Sequence, residues 1–173
     1  MSSVPVLEPI DDDPMVLRTV FGGFPSGVTA ICAMVGDEPV GIAASAFTSV
    51  SMSPPLVSVC VQNTSRTWPT LREAGRLGVS VLSAEHETVC RSLSAKEGDR
   101  FAGVPWSATV DGAIVIGGAV SSLECELVDE VPAGDHHIAV LRIHAVHTDR
   151  EVAPLVFHRS GFHRLAAGEC ATR

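Results

Sequence analysis

Residues 41–55 read Gly-Ile-Ala-Ala-Ser-Ala-Phe-Thr-Ser-Val-Ser-Met-Ser-Pro-Pro, a strand of small residues that runs into a loop dense in hydroxyls and stops at a proline pair. Small side chains let a flat ligand approach the backbone. The hydroxyls of Ser45, Thr48, Ser49 and Ser51, with the N–H groups of the loop around Val50, can meet ring oxygens and nitrogens. The same run also reads as a solvated Ser/Thr turn between two strands, and on its own it leaves both readings open.

On either side the texture is that of short strands. Residues 28–35 and 40–47 flank a turn at Gly36-Asp37 and read as a hairpin. Residues 56–61 and 77–82 are a third and fourth strand, and 114–116, 120–131, 136–146, 155–157 and 162–165 continue the pattern, with a turn at Pro132-Ala133-Gly134. Helical spacing is confined to three places. Asp11 to Asp13 and Pro14 start a helix carrying Val16, Leu17, Val20 and Phe21 until Gly22-Gly23. A short helix is expected over 68–74 and another over 84–95, with Val89, Cys90 and Leu93 as its buried stripe; 96–107 reads as a loop. Many strands joined by short turns, with helices too few for regular βαβ units, predict a mainly β, antiparallel barrel with a few flanking helices rather than a Rossmann sheet. Residues 1–14 are expected to form an N-terminal arm, 15–165 one domain and 166–173 a C-terminal tail.

Composition narrows the function. A formal charge of −8 with no basic stripe argues against nucleic acid. The N-terminus has no basic segment followed by an apolar run, so no membrane insertion or secretion is signalled and the cytoplasm is the expected compartment. Five cysteines without a Cys-x-x-Cys pair suit a reducing compartment, and Cys32, Cys60 and Cys125, inside apolar runs, read as small buried hydrophobes. The seven histidines offer no chelating spacing, since the adjacent His136 and His137, and His144 and His147 three apart, point to opposite sheet faces, so no metal site is expected. Gly-x-Ser-x-Gly, Gly-x-x-x-x-Gly-Lys and Gly-x-Gly-x-x-Gly after the first strand are all missing.

A second polar run, Asn63-Thr64-Ser65-Arg66-Thr67, precedes Trp68. Hydroxyls, a guanidinium and helix N–H groups converging there suit a phosphate; a plain helix cap at Thr67 accounts for the same residues.

These runs resemble a known family. Pro25-Ser26-Gly27-Val28-Thr29, residues 41–55, 56–61 and 63–67, Asp99-Arg100-Phe101, Leu123-Glu124-Cys125 and Gly134-Asp135-His136 stand in the order and spacing of the flavin reductase-like family, over about residues 15–165. The resemblance implies a Greek-key split β-barrel that binds FMN or FAD, takes hydride from NADH or NADPH, forms a homodimer and supplies reduced flavin to a flavin-dependent monooxygenase. It implies that Thr29, Ala43, Ser45, Thr48, Ser49, Val50 and Ser51 line the isoalloxazine, with Cys60 and Val61 nearby. Ser65, Arg66 and Thr67 would hold the phosphate, Arg100 and Phe101 would cover the cofactors, and His136 would sit near the nicotinamide as the catalytic residue. Two departures stand out: Leu141-Arg142-Ile143 replaces a common Gly-Arg-Val, and no tyrosine is present where members often place one near the C-terminus. The rival readings are a pyridoxamine phosphate oxidase-like flavoprotein and a flavin-binding protein without turnover.

Overall fold

Residues 29–33 are buried one after another, the signature of a strand covered on both faces, and the rest of the molecule is arranged around that fact. The computed structural model describes residues 6–7, 9–10 and 13–165. The chain runs α1 (Pro14–Gly22), β1 (Ser26–Gly27), β2 (Thr29–Val35), β3 (Glu38–Ala44), β4 (Phe47–Met52), β5 (Pro55–Gln62), α2 (Trp68–Leu71), β6 (Leu77–Val81) and α3 (Glu87–Leu93). It continues with β7 (Trp106–Ala108), β8 (Ile114–Ile116), β9 (Ser121–Ala133), β10 (His136–Thr148), β11 (Leu155–His158) and β12 (Gly161–Arg164).

Seven strands form one antiparallel sheet in the order β3-β2-β6-β9-β10-β5-β4. Side chains from all seven meet in a single core: Ile31 and Ala33 of β2, Val59 and Val61 of β5, Leu77 and Val79 of β6, Cys125 of β9 and Leu141 of β10 are buried there, and Ile42 of β3 and Phe47 of β4 pack against them. Because the two edge strands share that core, the sheet is curled, and its edges meet where Ser45 and Ala46 link β3 to β4. This is a split barrel. The opposite face of β2, with Ala30 and Cys32, packs on a second core built by Val89, Cys90 and Leu93 of α3, Ile114 and Ile116 of β8, and Leu155 of β11. Gly78 permits this layering, since a Cβ there would lie 1.8 Å from the Ile114 carbonyl oxygen.

Several expectations need correcting. The hydroxyl-rich stretch 48–51 is not a loop: it lies in β4, hairpinned onto β5 with Thr48 opposite Ser58 and a bulge at Val50. Its polar side chains give it no burial period, as befits an edge strand. The upstream strand ends at Ala44, and β7 occupies the end of the expected 96–107 loop. α2 is a single turn, and α3 starts at Glu87 rather than 84, because the His86 ring is used to fix the preceding bend. Asp13 does cap α1, accepting from Met15 N at 2.9 Å; Asp11, Asp12 and the tail 166–173 lie outside the described residues.

Candidate active site

Where the curled sheet fails to close, a cleft of about 740 Å³ opens, within the range of small-ligand and cofactor sites. Ala43, Ala44, Ser45 and Ala46 form one wall with no bulky side chain. Cys60, Val61, Gln62 and His136 form the facing wall, from neighbouring strands in register, His136 opposite Gln62 and Ile138 opposite Cys60. The third side is residues 64–67 with Leu93, Ser94, Lys96 and Arg100.

The charge at this third side runs against that of the molecule. The chain carries a net −8, yet among the described residues no Asp or Glu lines the cleft, while Arg66, Arg100 and the chain's one lysine, Lys96, do. Arg66 Nη2 donates to the Lys96 carbonyl at 3.1 Å. Arg100 Nη1 donates to the Gly41 carbonyl at 3.0 Å and to Thr67 Oγ1 at 2.8 Å. Ser65 Oγ accepts from Trp68 N at 3.2 Å. Both hydroxyls are thus occupied as acceptors, and their own protons are left to be donated. A rim of guanidinium, ammonium and outward O–H groups, without a competing carboxylate, is a receptor for an anion.

The other end is set by the β9–β10 turn. Asn63 N donates to the Asp135 carbonyl at 2.9 Å and its side chain to the Gly134 carbonyl at 3.2 Å, which ties residue 63 to the turn that carries His136. His136 Nδ1 lies 2.6 Å from Asp135 Oδ1, and this hydrogen bond holds the Asp135 carboxyl below its usual range. Because the carboxylate can only accept, Nδ1 is the donor, and the bond fixes the orientation of the ring.

The structure brings together Ala43, Ser45, Cys60, Val61, Ser65, Arg66, Thr67, Arg100 and His136. Thr29 stands behind the wall, buried, its hydroxyl donating to the Ala44 carbonyl at 3.0 Å. Phe101 is also buried, edge-on to Trp106 at 6.1 Å, and borders a smaller recess beside Arg100. Thr48, Ser49, Val50 and Ser51 do not line the cleft of the single chain; Thr48 lies across from Ser58, one row beyond Cys60 on the same sheet face. Thr67 makes no side-chain cap, the other reading of that run: its hydroxyl accepts from Arg100, and Pro69, the second helical residue, has no N–H to donate. Thr64, from the second polar run, joins the site as well; Gln62 and Lys96 join it without having been expected from the sequence, and the solitary lysine is the one signal that points to Lys96. Cys60 is half-buried on the cleft wall, unlike Cys32 and Cys125, whose thiols burial pushes up to about 12. Among the described residues no group of three or more His, Cys, Asp or Glu could hold a metal.

Residues 21–166 match the family model described as "Flavin reductase like domain". The chain belongs to the flavin reductase-like family. A flavin reductase of Pseudomonas putida is 36% identical over 156 residues, covering 90% of this chain and 92% of its own. The reductase subunit HsaB of a flavin-dependent monooxygenase from Rhodococcus jostii is 35% identical, with 87% and 77% covered. The NADH:FAD oxidoreductase SgcE6 of Streptomyces globisporus, solved with NAD and FAD fragments, superposes with a TM-score of 0.86 at 36% identity over 96% of this chain and all of that one. A flavin nucleotide suits the cleft found here: an alanine-rich wall accepts a flat ring, and the acid-free rim accepts a phosphate.

Proposed function

We propose that this chain is an NAD(P)H:flavin oxidoreductase that reduces FMN or FAD and releases the reduced flavin to a partner monooxygenase. The observation that carries the reading is the cleft itself, in which a small-residue wall adjoins an acid-free rim bearing Arg66, Lys96 and Arg100. When bound, flavin supplies the two-electron acceptor for hydride from a nicotinamide. The protein's work is positioning. Ala43 to Ala46 and Cys60 and Val61 bound the ring slot, and Thr29 fixes the Ala44 end of that wall. Ser65, Arg66, Thr67 and Lys96 hold the phosphate, Arg100 braces Thr67 against β3, and His136, steadied by Asp135, gives the nicotinamide side a fixed hydrogen-bonding group. Thr48 of β4 extends the sheet face beyond Cys60.

Relatives named as monooxygenase reductase subunits support the acceptor partner. A homodimer is supported by apolar surface that one chain leaves uncovered: α1 has no buried residue, and Met15, Val20, Phe21, Phe24 and Met52 are all exposed. No helix among the described residues is long and apolar enough to cross a membrane. Cys32, Cys60, Cys90 and Cys125 are free thiols, which accords with a cytoplasmic setting. Following NADH and NADPH absorbance with added FMN or FAD tests the function. Oxidation that requires flavin is expected; uptake of flavin with no nicotinamide consumed would make the chain a binding protein only.

A further inference from the structure

Glu130 lies on β9, outside the cleft, and its side chain is only 11% exposed in a chain whose acids are otherwise mostly at the surface. Both carboxylate oxygens are engaged. Oε1 accepts from the Trp68 indole Nε1 at 2.7 Å, and Oε2 pairs with Arg72 Nη2. Trp68 and Arg72 bracket α2, the single turn that follows the anion rim. A turn of four residues has no stability of its own, because helix nucleation is unfavourable and too few hydrogen bonds repay it. It also lacks a cap from Thr67, whose hydroxyl is drawn off to Arg100. What holds its start is the bond from Trp68 N to Ser65 Oγ, and what holds Trp68 is the core around Leu71 together with Glu130.

A contiguous chain of contacts therefore runs from β9 to the rim: Glu130 to the Trp68 indole, the Trp68 backbone to Ser65, and Ser65 to the loop that presents Arg66 and Thr67. Glu130 is in the strand whose hairpin partner begins with His136, with Glu130 opposite Ala139 and Ala133 opposite His136. The rim and the His136 turn are thus mounted on one hairpin, the first through Glu130 and the second directly. Burying the indole N–H calls for an acceptor, but a neutral one would serve. A carboxylate that also grips Arg72 fixes the turn at both ends.

We infer that Glu130 is a positioning residue for the phosphate-binding rim, acting through Trp68 and Arg72 and touching no ligand itself. The inference rests on the flavin reading above and deepens it. Its signature is selectivity, since an acceptor that sets residues 65–67 matters for a ligand carrying a phosphate and not for the bare ring system.

The test is equilibrium binding to the full chain by flavin fluorescence quenching, with FMN and riboflavin as paired probes. The variants are Glu130→Ala, Glu130→Gln and Trp68→Phe, the last keeping an aromatic ring while removing the N–H. Glu130→Ala and Trp68→Phe are expected to weaken FMN about tenfold, the scale of one lost charge-assisted hydrogen bond, and to leave riboflavin within about twofold. Glu130→Gln keeps an acceptor for the indole but loses the charge facing Arg72, and is expected to restore much of the FMN affinity. If Glu130→Ala fails to fold, the comparison is read from Glu130→Gln and Trp68→Phe. Equal losses for FMN and riboflavin, or no loss for either, would overturn the positioning role. A wild-type protein that binds riboflavin as tightly as FMN would instead overturn the phosphate rim, whatever the variants do.

Discussion

Two polar runs of similar composition, Thr48-Ser49-Val50-Ser51 and Thr64-Ser65-Arg66-Thr67, end in opposite situations. The first is an edge strand of the barrel sheet, with Thr48, Ser49 and Val50 exposed and none of the four lining the cleft. The second turns into the cleft, and its Ser65 and Thr67 hydroxyls are each enlisted as acceptors by a neighbouring donor. Hydroxyl density does not distinguish them. Their settings do: β4 is laid out along one side of β5 as an edge strand, whereas residues 63–67 are held by Asn63, Arg100 and Trp68 and so present side chains to the gap.

The strongest way to break the contrast is to remove the cation that braces the second run. Arg100→Met deletes the bonds to Gly41 and Thr67, and FMN affinity in fluorescence titration is expected to fall on the order of 100-fold. An effect below about threefold would show that the rim is held without it. Next in size is His136→Ala, which lies at the far end of the cleft and separates the two halves of the site. It is expected to slow flavin-dependent NADH oxidation at least about tenfold while changing the flavin Kd by less than about threefold. Matching losses in rate and affinity would place His136 with the flavin rather than the nicotinamide.

On the other side of the comparison, Thr48→Ala and Ser51→Ala in one chain are expected to change FMN affinity by less than about twofold. A loss beyond tenfold would mean that β4 reaches the ligand, by extension of the Cys60 face or across a subunit contact.

The smallest effect concerns stability. His86 is buried, its Nδ1 accepts from Ser83 N at 3.2 Å, and burial holds its pKa below 6.5 in spite of a backbone hydrogen bond to Gly117. The unfolded chain binds the proton more readily, so stability is complete above 6.5 and is lost as pH falls from there through the lowered native value. Thermal melts are expected to decline over that window, and less steeply in His86→Asn, which keeps an acceptor for Ser83 but cannot be charged. Equal slopes would remove His86 from the account.

How much of the fold and the cleft is legible in the sequence depends on where the information resides. Strands with one or both faces in the core announce themselves: 114–116 reads correctly to the residue, and the hairpin 28–47 and the long pair 120–146 fall within a few positions, because burial writes a period into the sequence. β4 does not, since an exposed edge strand needs no such period. α2 is shorter than its sequence suggests, a single turn whose ends are tied by Ser65 and Glu130. The cleft is half visible. Ser65 to Thr67 and the small-residue wall are local runs, but Lys96 and Arg100 reach the rim from some thirty residues away, and pairing of that kind is decided by barrel closure. The resemblance to the flavin reductases carries the function; the residue chemistry alone leaves both polar runs ambiguous.

The decisive measurement is a crystal structure of the full chain with FMN. The phosphate is expected within hydrogen-bonding distance of Ser65, Arg66 and Thr67, with the ring against Ala43 to Ala46. A phosphate seated on Thr48 to Ser51, or anywhere away from the acid-free rim, would contradict the assignment.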